Sequence, residues 1–174
     1  ANNTYKLCCD EDVEFFINTK DDNIYIMEEF VNGYVQTFDG IVDSQGNMLF
    51  ESGNITPLSL MDVVNTAGDS VYYIQKSVPA DVKKAGRATV KSFGVKSRFV
   101  HFEFFRLTAD QAIGQKGDVV ALEVNMRPAG GNSPDMFNFA NSTNVYKIWA
   151  DMIAFGSSMV PQGAHNYGAF MGRR

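Results

Sequence analysis

Residues 118–131 read DVVALEVNMRPAGG, and the rest of the chain is organised around them. Over 118–126 apolar and polar residues alternate, as in a strand whose side chains point to opposite faces with period two. The alternation places Val120, Leu122, Val124 and Met126 on one apolar face suited to a core. It places Glu123, Asn125 and Arg127 on the other, behind Val119 and Ala121, at intervals of ~6–7 Å along the strand. Pro128 ends the strand, and Gly130-Gly131 lets the backbone turn sharply or approach a ligand closely. An acid, an amide oxygen and a fixed cation at a rigid strand end suit a metal-bound, multiply charged anion. Spacing alone equally allows Glu123 and Arg127 to pair as ions on a solvated face.

The preceding stretch, 98–105, also alternates and puts His101, Glu103 and Phe105 on one face. If it pairs antiparallel with 118–126, opposed residues lie ~4.5–5.5 Å apart. Glu103 and Glu123 then reach the same cation. Mg²⁺ takes oxygen ligands and is usually held by one or two carboxylates plus substrate phosphates. No cysteine or histidine cluster points to zinc. Arg127 is permanently charged and forks onto phosphate or carboxylate oxygens, where it can stabilise charge developing in a transition state. His101 fits either a structural hydrogen bond or a role in orienting a ligand from behind.

Outward from this pair, the pattern predicts a short helix from Asp10 with Val13, Phe16 and Ile17 on one stripe. A strand over 23–31 and the turn signal Asn32-Gly33 predict a hairpin with 34–42. A turn at 44–47 leads to a strand over 48–52, and 53–68 reads as mixed loop and short helix. A further strand spans 71–78. Pro79 opens a helix at its first position, and Gly94 closes it. Helices follow over 133–140 and 144–155, the second with Val145, Ile148, Trp149 and Met152 on one stripe. A final edge strand covers 165–171. Strands and helices intermingle without strict alternation, so the class is α+β with a largely antiparallel sheet and flanking helices.

Composition narrows the function. The 174 residues are 45% hydrophobic and 20% charged, with a net charge of -5. That balance gives no electrostatic case for nucleic acid or an anionic membrane, which call for basic patches. The only cysteines, Cys8 and Cys9, are neighbours and cannot staple distant segments, so they read as free thiols in a reducing compartment. The expected location is the cytoplasm, although the triplets at Asn2, Asn54 and Asn141 match a glycosylation signal.

The series Met27-Glu28-Glu29-Phe30-Val31-Asn32-Gly33, then Phe102-Glu103-Phe104, then Leu122-Glu123-Val124-Asn125-Met126-Arg127-Pro128-Ala129-Gly130-Gly131 resembles the ATP-grasp superfamily. The resemblance covers about residues 4–155. It implies an ATP-grasp-like fold in which two α+β lobes grip ATP, with Mg²⁺ or Mn²⁺ between the phosphates and acidic side chains. Position by position, it implies that Glu28, Glu29, Phe30 and Val31 meet the adenine. Glu103, Glu123 and Asn125 become metal ligands, and Arg127 holds the reacting carboxylate or acyl phosphate. The Arg-Pro-x-Gly-Gly continuation looks more like the carboxylate–amine ligases than the D-alanine ligases. Val35 stands where many members place a ribose-binding acid. The glycine-rich lid and N-terminal substrate domain have no counterpart, so the resemblance implies a partial domain over 1–174, inactive alone.

The function so implied is Mg-dependent activation of a carboxylate by ATP as an acyl phosphate, followed by attack of an amine. The expected partners are a small carboxylate and a small amine, with no nucleic acid and no membrane, and a homodimer is left open. The alternatives are bicarbonate activation of the biotin carboxylase type, and a non-catalytic nucleotide-binding module. A glycosidase built on Glu103 and Glu123, whose carboxyl groups would sit ~5–9.5 Å apart, leaves Asn125 and Arg127 unexplained.

Overall fold

A computed structural model describes residues 4–57 and 69–173. The loop-and-helix expectation for 58–68 lies outside the described residues. The chain divides into two units, Ala1–Val31 and Asn32–Arg174.

In the first unit, helix α1 spans Asp10–Thr19 with Cys9 at its N-cap. Asp10, Glu11 and Asp12 fill its first turn, where carboxylates oppose the positive end of the helix dipole. Asp12 accepts the Cys8 backbone N–H at 2.7 Å. Tyr5, Phe16 and Tyr25 meet edge to face, with centroids 5.0–5.8 Å apart. The strand expected over 23–31 does not form: these residues join no ladder among the described residues, and Ile24 is 97% exposed. Alternating apolar residues qualify a segment for pairing but supply no partner. The hairpin expected at Asn32-Gly33 is therefore absent, and Gly33 instead begins a strand of the second unit.

Among the described residues, that unit is built on a seven-stranded sheet whose pairings are all antiparallel. Its strands are β1 (Gly33–Val42), β2 (Met48–Ser52), β3 (Asn54–Thr56), β4 (Ser70–Ile74), β5 (Arg98–Leu107), β6 (Val119–Asn125) and β7 (Gly168–Gly172). They lie in the order β6-β5-β1-β3-β4-β7, with β2 beside β1. β1 is therefore central, flanked by β5 along its whole length and by β2 and β3 in turn on its other side.

Helices cover both faces. Helix α2 (Ala80–Ser92) lies over Phe38, Val42, Val100, Phe102 and Phe104 through Val82 and Val90. Pro79 sits at its N-cap, one position before the expected one. Gly94 ends it with φ +58°, and the Val95 and Gly94 amides bond back to Val90 and Lys91, closing the last turn on left-handed backbone. Helices α3 (Ser133–Asn141) and α4 (Val145–Phe155) cover the opposite face, where Phe137, Ile148 and Met152 pack on Ile41, Phe50 and Phe99. The stripe read from the sequence, Val145, Ile148, Trp149 and Met152, is the one α4 turns inward.

β6 departs from strict alternation. Glu123 faces Glu103, but Phe104 next to it faces Ala121, so Leu122 is an extra residue, a β-bulge. Beyond it the faces exchange: Val119 and Ala121 share the α2 side with Val124, and Val120 joins Glu123. The continuous apolar face expected from Val120 to Met126 is thus split. β6 is also an edge strand, and Leu122 and Val124 are 41% and 37% exposed.

Candidate functional site

The face of the sheet that carries α3 and α4 turns polar next to Ile41 and Phe99. Strand period two puts Thr37 and Asp39 of β1 on this face, with His101 and Glu103 of β5 and Glu123 and Asn125 of β6. The ladders align them into two rows across three strands. One row is Asp39, His101 and Asn125; the other is Thr37, Glu103 and Glu123. The sequence expectation that the two glutamates face one another is met by direct register, Glu103 opposite Glu123.

A chain of hydrogen bonds runs along these rows. The Asn54 amide donates to Thr37 Oγ1 at 2.9 Å, so the Thr37 hydroxyl turns its proton to Asp39 Oδ2. Asp39 Oδ1 meets His101 Nδ1 at 2.7 Å. His101 Nε2 meets Glu103 Oε1 at 3.0 Å. Thr37, Asp39 and His101 are buried, Asp39 completely. Carboxylates only accept when ionised, and both ring nitrogens of His101 face one, so both carry protons. Burial alone would lower the pKa of His101. The hydrogen bonds and charges of Asp39 and Glu103 outweigh it and push the value up to about 10.

The charges along this face are three carboxylates and one imidazolium, a surplus of negative charge that a divalent cation would offset. No group of three or more His, Cys, Asp or Glu side chains is arranged to hold a metal among the described residues. The available donors are the two glutamates and the Asn125 amide, an all-oxygen set of the kind Mg²⁺ takes when phosphates complete its shell. Asn125 Nδ2 is buried and has no hydrogen-bond partner, an orphaned donor that an anionic oxygen would satisfy. These residues fit a metal-bound phosphate.

Arg127 takes no part in this chain of hydrogen bonds. Arg127 follows the end of β6, is exposed, and donates from Nη1 to the Pro128 carbonyl at 3.1 Å. It forms no ion pair with Glu123 among the described residues, so the alternative of a structural Glu123–Arg127 pair is not realised. Glu28, Glu29, Phe30 and Val31 belong to the first unit, where Lys6 Nζ stands 3.9 Å from the centre of the Phe30 ring. Two concavities, about 210 Å³ beside β2 and about 540 Å³ beside the C-terminal end of α2, are lined by none of these residues. Chemistry rather than depth marks the acidic rows.

Thr37, Asp39 and Asn54 are not among the site residues expected from the sequence. A signal is present: in Gln36-Thr37-Phe38-Asp39-Gly40 a hydroxyl and a carboxylate recur at period two inside a strand. Such polar residues on a central strand need partners from neighbouring strands.

The largely antiparallel sheet with helices on both faces matches part of an ATP-grasp-like fold. Among solved structures, the chain is similar to phosphoribosylglycinamide synthetase from Anaerococcus prevotii, with a TM-score of 0.58 and 17% identity. The match covers 81% of this chain and 35% of that one, so this chain spans about a third of its neighbour's length. No family model matches the sequence, and no curated protein matches it. No helix among the described residues is long and apolar enough to cross a membrane.

Proposed function

We propose that this chain carries the metal-binding part of an ATP-dependent ligase that joins a carboxylate to an amine. The observation that carries the reading is the registered pair Glu103 and Glu123, with Asn125 one row away on the same face. The fold neighbour, a synthetase by name, agrees with it. The bound Mg²⁺ or Mn²⁺ would supply charge neutralisation at the phosphates of ATP, and Glu103, Glu123 and Asn125 would hold it. In the reaction, a carboxylate oxygen attacks the γ-phosphorus of ATP and ADP leaves. The amine nitrogen then attacks the acyl carbon, phosphate departs, and the nitrogen loses a proton. Arg127, exposed at the mouth of the strand, would grip the carboxylate through its guanidinium fork. Glu28, Glu29, Phe30 and Val31 would meet the adenine through their backbone. The partners would be a small carboxylate and a small amine in the cytoplasm.

The test is ADP release by a full-length protein that contains this chain, with ATP, Mg²⁺ and a panel of carboxylates and amines, comparing wild type with Glu123→Ala. Loss of carboxylate-dependent ADP release in the variant, with ATP still bound, supports the reading. An unchanged rate overturns it. ATP binding without turnover on any substrate pair would instead favour a non-catalytic nucleotide-binding module.

A further inference from the structure

The proposed function uses Glu103 but leaves unexplained why a carboxylate and an imidazole are buried behind it. Asp39 is fully buried and His101 nearly so. Desolvating such groups costs several kcal/mol per ion even after relaxation, and apolar side chains of similar size would fill the same space without that cost. The neighbouring positions on the same face, Ile41 and Phe99, are filled that way. The ionic chain begins only where the face approaches Glu103 and Glu123.

The direction of the chain is fixed at every link. Thr37 Oγ1 is occupied by the Asn54 amide, so its proton goes to Asp39. Asp39 spends its other oxygen on His101 Nδ1, which sets the ring plane and aims Nε2 at Glu103 Oε1. His101 and Asp39 are ladder partners, as are Thr37 and Glu103. Backbone register therefore delivers the geometry, and the anchor is the central strand of the sheet.

Resting on the proposed function, we infer that Asp39 and His101 are positioning residues. They commit Glu103 Oε1 to His101, leaving Oε2 as the oxygen with which Glu103 meets the cation. Partners standing behind a ligating carboxylate fix its orientation, and removing one typically costs about 10–100-fold in metal affinity. A purely structural role for His101 predicts something different: lost stability, with no specific effect on the metal.

The experiment is a titration with Mn²⁺ alone, following free Mn²⁺ by electron paramagnetic resonance. It compares wild-type chain, His101→Gln, Glu103→Gln, the double variant and Glu123→Gln, each below its own melting temperature. The expected result is a weakening of about tenfold or more for His101→Gln, which disappears when Glu103 is already Gln. That loss of additivity identifies an effect routed through Glu103. An equal effect of His101→Gln with and without the Glu103 carboxylate overturns the inference, as does unchanged Mn²⁺ affinity in His101→Gln. If His101→Gln does not fold, Asp39→Asn takes its place in the same cycle, with a smaller loss expected in the same direction and the same two overturning outcomes. Glu123→Gln separates this inference from the reading beneath it. Mn²⁺ affinity that ignores both Glu103→Gln and Glu123→Gln, or no Mn²⁺ binding at all, removes the metal site itself and the inference with it.

Discussion

Asp39 and His101 stand opposite one another in the β1·β5 ladder, and Oδ1 of one meets Nδ1 of the other at 2.7 Å inside the sheet. The proton that joins them is held far more tightly in the folded chain than in the unfolded one. The His101 pKa rises from about 6.5 to about 10 on folding. Below pH ~6.5 both states carry the proton, and the stabilisation from this pairing is fully present. As pH rises towards about 10, the unfolded chain has released its proton while the folded chain still binds one. Stability therefore falls with pH and is lost through the folded value. Urea denaturation in metal-free buffer should show this decline in the wild type and a flatter profile in His101→Gln. Parallel profiles would show that His101 is not charged in the fold.

Helix α2 packs closely on the sheet at Gly86. A Cβ there would collide with the Phe38 ring, and Phe38 is completely buried. Alanine favours helix by about 0.5–1 kcal/mol over glycine, but overpacking a filled core costs about 1–3 kcal/mol. Packing should win. Gly86→Ala is expected to lower stability by a net of about 1–2 kcal/mol in chemical denaturation, whereas an exposed helical glycine would gain from the same change.

Helix α4 depends on its cap. Asn144 accepts the Lys147 amide at 2.9 Å through its side chain. Its first turn carries no acidic residue to assist. Asn144→Ala should cost about 1 kcal/mol, read as a shift in the denaturation midpoint, and Asn144→Asp should recover most of it. Equal losses in both variants would mean that the cap contributes nothing.

These contacts show which parts of the molecule are legible from sequence. β1, β2, β5, α2, α3 and α4 fall close to where periodicity places them, because each carries its own apolar pattern, and Pro79 and Gly94 bound α2. The antiparallel pairing that brings Glu103 to Glu123 enters the sequence reading only as a condition, and the β5·β6 ladder supplies it. What fails is whatever needs a second segment. Residues 23–31 alternate correctly yet join no ladder. Asp39 and His101 lie 62 positions apart, and nothing within either strand names the other. The Leu122 bulge is invisible because Val119, Val120, Ala121 and Leu122 are all apolar, so either assignment of faces reads equally well.

That bulge yields the sharpest test of how β6 presents its acids. With Leu122 as the extra residue, Glu103 pairs with Glu123 and Phe104 with Ala121. Deleting Leu122 would leave a regular strand with the same partners: Val119 and Ala121 still on the α2 side, Val120 and Glu123 still on the other. The fold should survive, and cross-strand nuclear Overhauser contacts between Phe104 and Ala121 should persist. Deleting Val124 removes a residue from the regular part of the ladder and sends Glu123 and Asn125 to opposite faces, because a shift of one residue inverts every side chain beyond it. One of the two would then face α2, among Phe102 and Phe104, where an unpaired polar group costs roughly 1–3 kcal/mol or more. The first deletion should melt close to wild type and the second well below it. If the two deletions are equally damaging, the bulge does not lie at Leu122, and the alignment of Glu123 with Glu103 has to be redrawn.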